Sequence, residues 1–462
     1  MDGMWASAKA AAELIRSHRN DTIQIVTHID ADALSAAGIA ASTLRRAGIS
    51  YKVTYCKSLD DAMVKKLNDE NPALSWYTDL GSAVHHQLPK GHKIITDHHA
   101  VPEGEDPLAF PHINPHLHGI DEEDSISGAG CAYYVSTAFD SKNADLSATA
   151  LIGALGDLQD QRLGKFSGLN RKILADAEAH GVMRSRQDIR FFGRSSRPLP
   201  RFLRYADPAI PGLGLDEDSI VDVLVTQRIR VRDGGRWRTW YDLDDEERDR
   251  LTTAIMTAYG GTVPLERIRG ENYDMLKETE PELRCAKEFA TLLNSTARYD
   301  RPEIGLALTT GERQSVLSIA RTLLQGHRRS LGGAIQYAQK QGLTELGPIA
   351  YFHAGNHIRD TILGIVTGIL LGGGQGGGTK VLVGLADNGQ GGIKVSTRAP
   401  DLLVQRGANL SQAVSHAASA VGGSGGGHAG AAGATLPIGR EDEFLKALAD
   451  ALGRQIAVPV SH

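Results

Sequence analysis

Early in the chain, short apolar runs end repeatedly in acids or imidazoles, and this recurrence limits the fold more than any other feature. Asp21–Val26, with Ile23, Ile25 and Val26, leads into His28-Ile29-Asp30-Ala31-Asp32. Trp76-Tyr77-Thr78 leads into Asp79, and Lys93-Ile94-Ile95-Thr96 into Asp97-His98-His99. Between them the pattern predicts a small-residue helix over Ala33–Ala47 packed through Leu34, Ile39 and Leu44, a strand at Tyr51–Tyr55 and a helix through Asp60–Asn68. Strands alternating with helices build a parallel sheet, and open α/β sheets collect their functional groups at the carboxyl ends of the strands. His28, Asp30, Asp32, Asp79, Asp97, His98 and His99 are therefore expected along one edge. Asp157, closing the apolar segment Leu151–Gly156, is a further candidate. A single Asp after a strand is usually a helix cap or a loop residue; several such places serving one edge point to a shared site.

Carboxylates with neutral imidazoles suit Mn²⁺ or a similar octahedral divalent ion, whereas a structural zinc site would call for thiolates. The 3 cysteines, Cys56, Cys131 and Cys285, are far apart and in no paired motif, so each reads as a small buried hydrophobe in a reduced cytoplasm. Two ions about 3.5–4 Å apart, bridged by a shared carboxylate, would clamp a phosphate and acidify a water. The residues named are numerous enough to hold such a pair.

Size and composition set the frame. A chain of 462 residues exceeds what one core serves, so two or three domains are expected. The opening residues lack the long apolar stretch of a signal peptide, and no run approaches the roughly 20 apolar residues of a membrane span. No membrane association and a cytoplasmic location are expected. The net charge of −5 carries no overall nucleic-acid signature, so any basic surface is local.

Asp97-His98-His99, with His28-x-Asp30-x-Asp32 upstream, Asp79 between and Asp157 beyond, resembles the DHH phosphoesterase superfamily. Near the C-terminus, Gly425-Gly426-Gly427-His428-Ala429-Gly430-Ala431-Ala432-Gly433 resembles the companion domain that DHH proteins carry. Within the superfamily the chain is most similar to archaeal RecJ-like single-strand exonucleases, including those associated with the GINS complex of the replication fork. Further similar stretches are His112–Pro115, Ser127–Gly130, Ser195–Leu199, Glu288–Asn294 and Lys394–Arg398. The resemblance implies that Asp79 bridges two Mn²⁺ ions, with Mg²⁺ or Co²⁺ as substitutes. It implies that Asp30 and His28 complete one site, and Asp32, His98 and Asp157 the other. Asp97 would orient an imidazole, and His99 would touch the scissile phosphate or bind metal. Ala33 stands where the family usually has glycine, and a left-handed backbone there would strain an alanine.

The middle of the chain is basic. Arg184–Arg204 holds seven arginines against the single acid Asp188, interleaved with Phe191, Phe192 and Phe202 and followed by Tyr205. Guanidinium groups for phosphates and rings for bases are what a single-strand groove requires, and Arg194 and Arg197 are the favoured contacts. Pro198 and Pro200 predict a loop. A second cluster, Arg228 to Arg238 with Trp237 and Trp240, is expected to pair with the acidic run Asp242–Asp249. His85, His86, His112, His116 and His118 read as surface or loop histidines.

Glu282–Arg298 reads as a connecting helix. Beyond it come an extended Ile304–Leu308, helices at Gln314–Arg329 and Ser330–Gln341, and strands near Ile349–His353 and Val381–Asp387. The glycine run at 422–428 would offer backbone N–H groups to an anion ahead of a small-residue helix over Ala429–Ala434, with His428 on a phosphate oxygen. Lys394, Ser396 and Arg398, alternating on a strand, would hold further phosphates, together with Gly426 and Gly427.

The expected fold is α/β. A parallel-sheet metal-binding domain (1–180) is followed by a basic and aromatic segment packed on it (181–280), a connecting helix (281–300) and a mixed α/β substrate-binding domain (301–462), with the active site in the cleft between the domains. The expected activity is a two-metal phosphodiesterase hydrolysing single-stranded DNA or RNA from an end, in replication or repair. The catalytic residues would be His99, His428 and, through the imidazole it orients, Asp97. The alternatives are a weak or inactive replisome scaffold bound to GINS or the replicative helicase, a DHH enzyme for short oligonucleotides or cyclic dinucleotides, and an inorganic pyrophosphatase. The last would be shorter and lack the glycine–histidine signature.

Overall fold

The computed structural model describes residues 2–102, 108–120, 124–214 and 216–457. It divides into two compact units, Met1–Leu323 and Leu324–His462.

The first unit is built on a parallel sheet of β1 (Ile23–Thr27), β2 (Tyr51–Tyr55), β3 (Leu74–Thr78), β4 (His92–Thr96) and β5 (His112–Ile113), in the order β2-β1-β3-β4-β5. β1 and β3 are buried at every position, as expected of strands covered on both faces. Register does the positioning. Thr27 lies opposite Thr78, and Thr78 opposite Thr96, so three strands stop at one level and His28, Asp79 and Asp97 emerge side by side.

The helix Ala31–Arg46 follows β1 and packs on the helices Gly128–Phe139 and Ser147–Gly156. Its run of alanines keeps the backbones close, and all of Ala31–Leu44 is buried. The sequence stretch centred on Asp97 is thus one edge of a three-layer α/β core.

β6 (Met183–Ile189) then leaves this layer. The chain forms a small core around Phe191, Phe202, Trp240 and Tyr259, with the exposed hairpin of β7 (Arg232–Asp233) and β8 (Arg236–Trp237), and returns through β9 (Arg269–Met275), which pairs antiparallel with β6. Pro198 and Pro200 do not make a loop here. They open a short helix, Leu199–Arg204, because proline is tolerated in a first turn, where its missing N–H has no partner to lose.

The helix Ala286–Arg298 has Phe289, Leu292 and Leu293 buried and packs on Ser147–Gly156 within the first unit. The division between units falls later than residue 300, inside the 28-residue helix Gln314–Gln341. That helix is continuous where two were expected; it holds no proline, and Gly326, Gly332 and Gly333 are carried within it. Ile304–Leu308, expected to be extended, lies in the helix Pro302–Thr309, with Ile304 and Leu308 buried at i, i+4 spacing.

The second unit carries a mixed sheet of β10 (Thr344–Leu346), β11 (Ile349–His353), β12 (Val381–Asp387), β13 (Gly392–Arg398), β14 (Ser424–Gly427) and β15 (Ala431–Pro437). Their order is β10-β11-β12-β13-β15-β14, parallel only between β11 and β12. The helices Leu410–Ala420 and Glu441–Ala457 cover one face, and Asp360–Gly372 the other. Ala429–Ala434 is therefore not a helix. Ala432, Ala434 and Leu436 are buried at every second position, a strand period that short alanines disguise. The α/β class with an N-terminal parallel sheet and a C-terminal mixed sheet agrees with the expectation.

Candidate metal centre

Each acid at the edge is placed by a local device. Asp30 caps the helix Ala31–Arg46: its Oδ1 accepts from the Ala33 N–H at 2.9 Å, and its Oδ2 meets His28 Nδ1 at 2.8 Å. Two residues on, Asp32 accepts from the N–H groups of Gly128 at 2.6 Å and Ala129 at 3.0 Å, the positive end of the Gly128–Phe139 helix. Asp79 has φ +60°, a left-handed backbone uncommon outside glycine and often seen at functional sites. Asp157 caps the C-terminal end of Ser147–Gly156.

Asp97 makes no approach to the shared centre. Its Oδ1 accepts from the backbone N–H groups of His98 and His99 and lies 2.7 Å from His99 Nδ1, while its Oδ2 accepts from Ser82 N–H. It locks the turn and holds the His99 ring. His99 is left 56% exposed at the side chain, with Nε2 directed away from Asp97.

Around His98 the groups converge. Its Nε2 lies 3.2 Å from Asp157 Oδ2, 3.4 Å from Asp79 Oδ1 and 3.8 Å from Asp32 Oδ2. Three sets place their ligand atoms within 4.8 Å of one another: Asp79 with His98 and His99, His28 with Asp30 and Asp79, and Asp32 with His98 and Asp157. Asp79 Oδ1 and His98 Nε2 are buried without a hydrogen-bond partner. Glycines leave the room. A Cβ on Gly128 would stand 2.6 Å from Asp79 Oδ1, and one on Gly153 2.3 Å from Asp32 Oδ1.

The electrostatics suit a cation. Burial raises the Asp32 carboxyl, the Asp157 charge raises it further, and His98 offsets them only in part, leaving it pushed up to about 7. Burial, Asp32 and Asp30 likewise hold Asp79 well above the carboxylate range. On Asp30 burial is outweighed by His28 and the Ala33 N–H, and on Asp97 by His99, so both stay well below that range. Burial opposes charge on His98, yet Asp157 and Asp79 hold its ring well above the ordinary value. Four carboxylates at one place, Asp32 and Asp79 buried and Asp30 and Asp157 reaching solvent, with the buried Asp79 Oδ1 and His98 Nε2 lacking a formed hydrogen bond, fit a divalent ion of the oxygen- and nitrogen-binding class.

Ala33 is the third residue of its helix, absent from the left-handed positions of the chain, and its N–H serves Asp30. An alanine meets no backbone strain there. His85 and His112 are also not surface residues. His112 is fully buried against Ser82, which also takes the Asn114 amide, so the pair braces the Asp97 turn from below.

Sequence reasoning missed Asn294 and Arg298. Asn294 Oδ1 accepts from the Ala31 N–H at 2.9 Å, tying the Asp30–Asp32 segment to the Ala286–Arg298 helix. Arg298, mostly buried, has its pKa lowered by burial, which the Asp30 charge offsets in part. The i, i+4 spacing that puts both on one helix face was available as a signal.

The expected phosphate contacts separate. Arg194 is 1% exposed, with Nη2 2.8 Å from Asp188 Oδ2; a guanidinium enclosed in this way is part of the core and offers nothing to a strand. Arg197 is half-buried and lies between the rings of Phe192 and Tyr205. In the second unit, Lys394, Ser396 and Arg398 alternate along β13. The register places Ser396 opposite Gly433, and Gly433 opposite Gly426, in one row across three strands. Gly427 pairs with Ala432, and His428 is an exposed residue of the hairpin turn, its N–H donating to Ala431 O. Arg398 is largely buried and held to Ser396 Oγ and Thr397 O. Among the described residues no helix is long and apolar enough to cross a membrane.

Three family models match in succession: the N-terminal domain of the DHH family over residues 22–156, the DHH-CID domain over 191–269 and the DHHA1 domain over 351–454. An uncharacterized protein of Methanocaldococcus jannaschii is 28% identical over 97% of both chains. Among solved structures, RecJ from Thermus thermophilus in complex with Mn²⁺ is 16% identical with a TM-score of 0.60; the match covers 97% of this chain and 55% of that one, so the protein spans about half of that RecJ. CDC45 from Entamoeba histolytica is 11% identical with a TM-score of 0.65, covering 96% and 99%. Three domain models in the expected order, on a RecJ-like fold, make this chain a member of the DHH superfamily.

Proposed function

We propose that the protein is a metal-dependent phosphodiesterase that hydrolyses single-stranded DNA or RNA from an end, in replication or repair. The observation that carries this reading is the convergence of buried, unpartnered Asp79 Oδ1 and His98 Nε2 among Asp30, Asp32, Asp157 and His28. His28, Asp30 and Asp79 would hold one ion, and Asp32, His98 and Asp157 the other, with Asp79 shared. Two such ions supply charge neutralisation for a phosphodiester and acidify water to near neutral pH. Mn²⁺ is the favoured ion, since the similar RecJ holds it, and Mg²⁺ or Co²⁺ would substitute.

The chain's own groups do the rest. Asp97 fixes the His99 ring so that Nε2 faces outward, available to a phosphate oxygen. Burial, and the lack of a carboxylate partner among the described residues, leave the Arg398 guanidinium suited to an anion, with Lys394, Ser396, Gly426, Gly427 and His428 as further phosphate contacts. Arg197 is the contact retained from the basic segment.

The test uses single strands of DNA and RNA labelled at the 5′ or the 3′ end, incubated with Mn²⁺ or with chelator. Shortening of at least one strand, abolished by chelator, is expected. Intact strands in every case would remove this reading. They would leave the second one, a replisome subunit with GINS or the helicase as partner, which the likeness to CDC45 favours. Cleavage confined to short oligonucleotides or cyclic dinucleotides would move the substrate and keep the chemistry.

A further inference from the structure

The basic segment contains two populations of rings and guanidinium groups. Phe191 and Phe202 are buried with Trp240, and Arg190 and Arg194 are sunk against Asp160 and Asp188. The second population faces out. The Arg197 guanidinium lies 5.0 Å from the Phe192 ring centre and 5.4 Å from that of Tyr205, and the Arg204 guanidinium lies 5.4 Å from the same Tyr205 ring. Tyr205 is 56% exposed.

This row is rigid. Leu199, Phe202 and Leu203 bolt the short helix Leu199–Arg204 into the core, and Tyr205 N–H closes it on Arg201 O. Gly193, at φ +100°, lets the Arg197 stem pass where a Cβ would stand 2.3 Å from its Cδ. The acids beside the row are Glu217, 2.9 Å from Arg201 and 3.9 Å from Arg204, and the buried Glu288, whose carboxyl feels Arg197, against the three arginines 197, 201 and 204. The charge left over is positive.

We infer that the row Phe192–Arg197–Tyr205–Arg204 is a stacking platform for unpaired bases of a single strand, a role that no family match above assigns to it. Flat guanidinium groups and rings offer π-faces to any base, and the same arginines balance the flanking phosphates. A duplex is excluded because its bases already stack on one another. An acidic peptide would use the charge and leave the exposed ring without a role. The inference rests on the single-strand reading above.

Binding is followed by fluorescence anisotropy in chelator, with a labelled thymidine homopolymer and an abasic strand of equal length. The native chain is expected to prefer the thymidine strand. Tyr205→Ala should weaken that strand about tenfold and leave the abasic strand unchanged, while Tyr205→Phe keeps native binding. Arg204→Gln should weaken both strands and lower the salt slope by about one charge. Native binding by Tyr205→Ala, or equal displacement by polyglutamate from the native and Tyr205→Ala chains, overturns the platform. If the native chain then still shortens labelled strands with Mn²⁺, only the platform has failed; if it neither binds nor shortens them, the phosphodiesterase reading has failed first.

Discussion

The strand edge and the arginine-rich segment both crowd like charges, and they resolve the crowding in opposite ways. In the segment, each buried guanidinium has its acid: Arg190 with Asp160 at 2.7 Å and Arg194 with Asp188 at 2.8 Å. Asp188 in turn accepts from Trp240 Nε1, so its charge is spread over several donors. At the edge, Asp30, Asp32, Asp79 and Asp157 outnumber their imidazoles, and among the described residues no arginine or lysine forms an ion pair with them. Buried charge matched by fixed cations holds a fold together; carboxylates in excess of their cations suit a cation from outside.

That contrast can be broken most severely at Asp79. Asp79→Ala is expected to lower phosphodiester cleavage by about three orders of magnitude or more while the thermal melt in chelator does not fall. A native rate would refute the metal assignment. At Arg194 the signs reverse: Arg194→Ala should destabilise the fold by about 1.5–3 kcal/mol, because Asp188 loses its closest charged donor while Arg186 and Arg248 remain, and calorimetry would show it. A melt indistinguishable from native would show that the paired cluster is not structural.

Asp97→Asn sharpens the division between holding and orienting. It should cost about 10–100-fold in metal affinity or rate, read by titration with Mn²⁺, without removing the site. The pH dependence separates the regions further. In the metal-free protein the Asp32 carboxyl rises from 3.8 to about 7, so the folded state holds a proton that the unfolded state releases. Stability should then decline as pH climbs through that window, and saturating Mn²⁺ should flatten the decline. A metal-free melt that improves over the same window would contradict the crowded-carboxylate picture. The smallest effect belongs to Arg197→Ala, a few-fold loss of strand binding that shrinks as salt is raised, with an unchanged rate on saturating strand.

How far the sequence carried the reading differs by region for a physical reason. Acids after apolar strands were legible because a parallel sheet aligns its strand ends, and Thr27, Thr78 and Thr96 do lie level. Arg194 was not legible, since charge alone does not say whether a nearby acid, here Asp188 on the preceding strand, will enclose it in a core. Ala429–Ala434 misled because alanine and glycine carry little periodicity, so a strand passed for a helix. Asn294 reaches Ala31 from 263 residues away, a pairing that only the fold creates.

The left-handed backbone of Asp79 has a practical side. Its carboxylate sits buried beside Asp32 in a conformation that asparagine tolerates better than most residues. Asp79→Asn removes one of the crowded charges and keeps the shape. A catalytically dead chain of this kind should tolerate more heat than the native one in chelator, and it would be the form in which to trap an uncut strand.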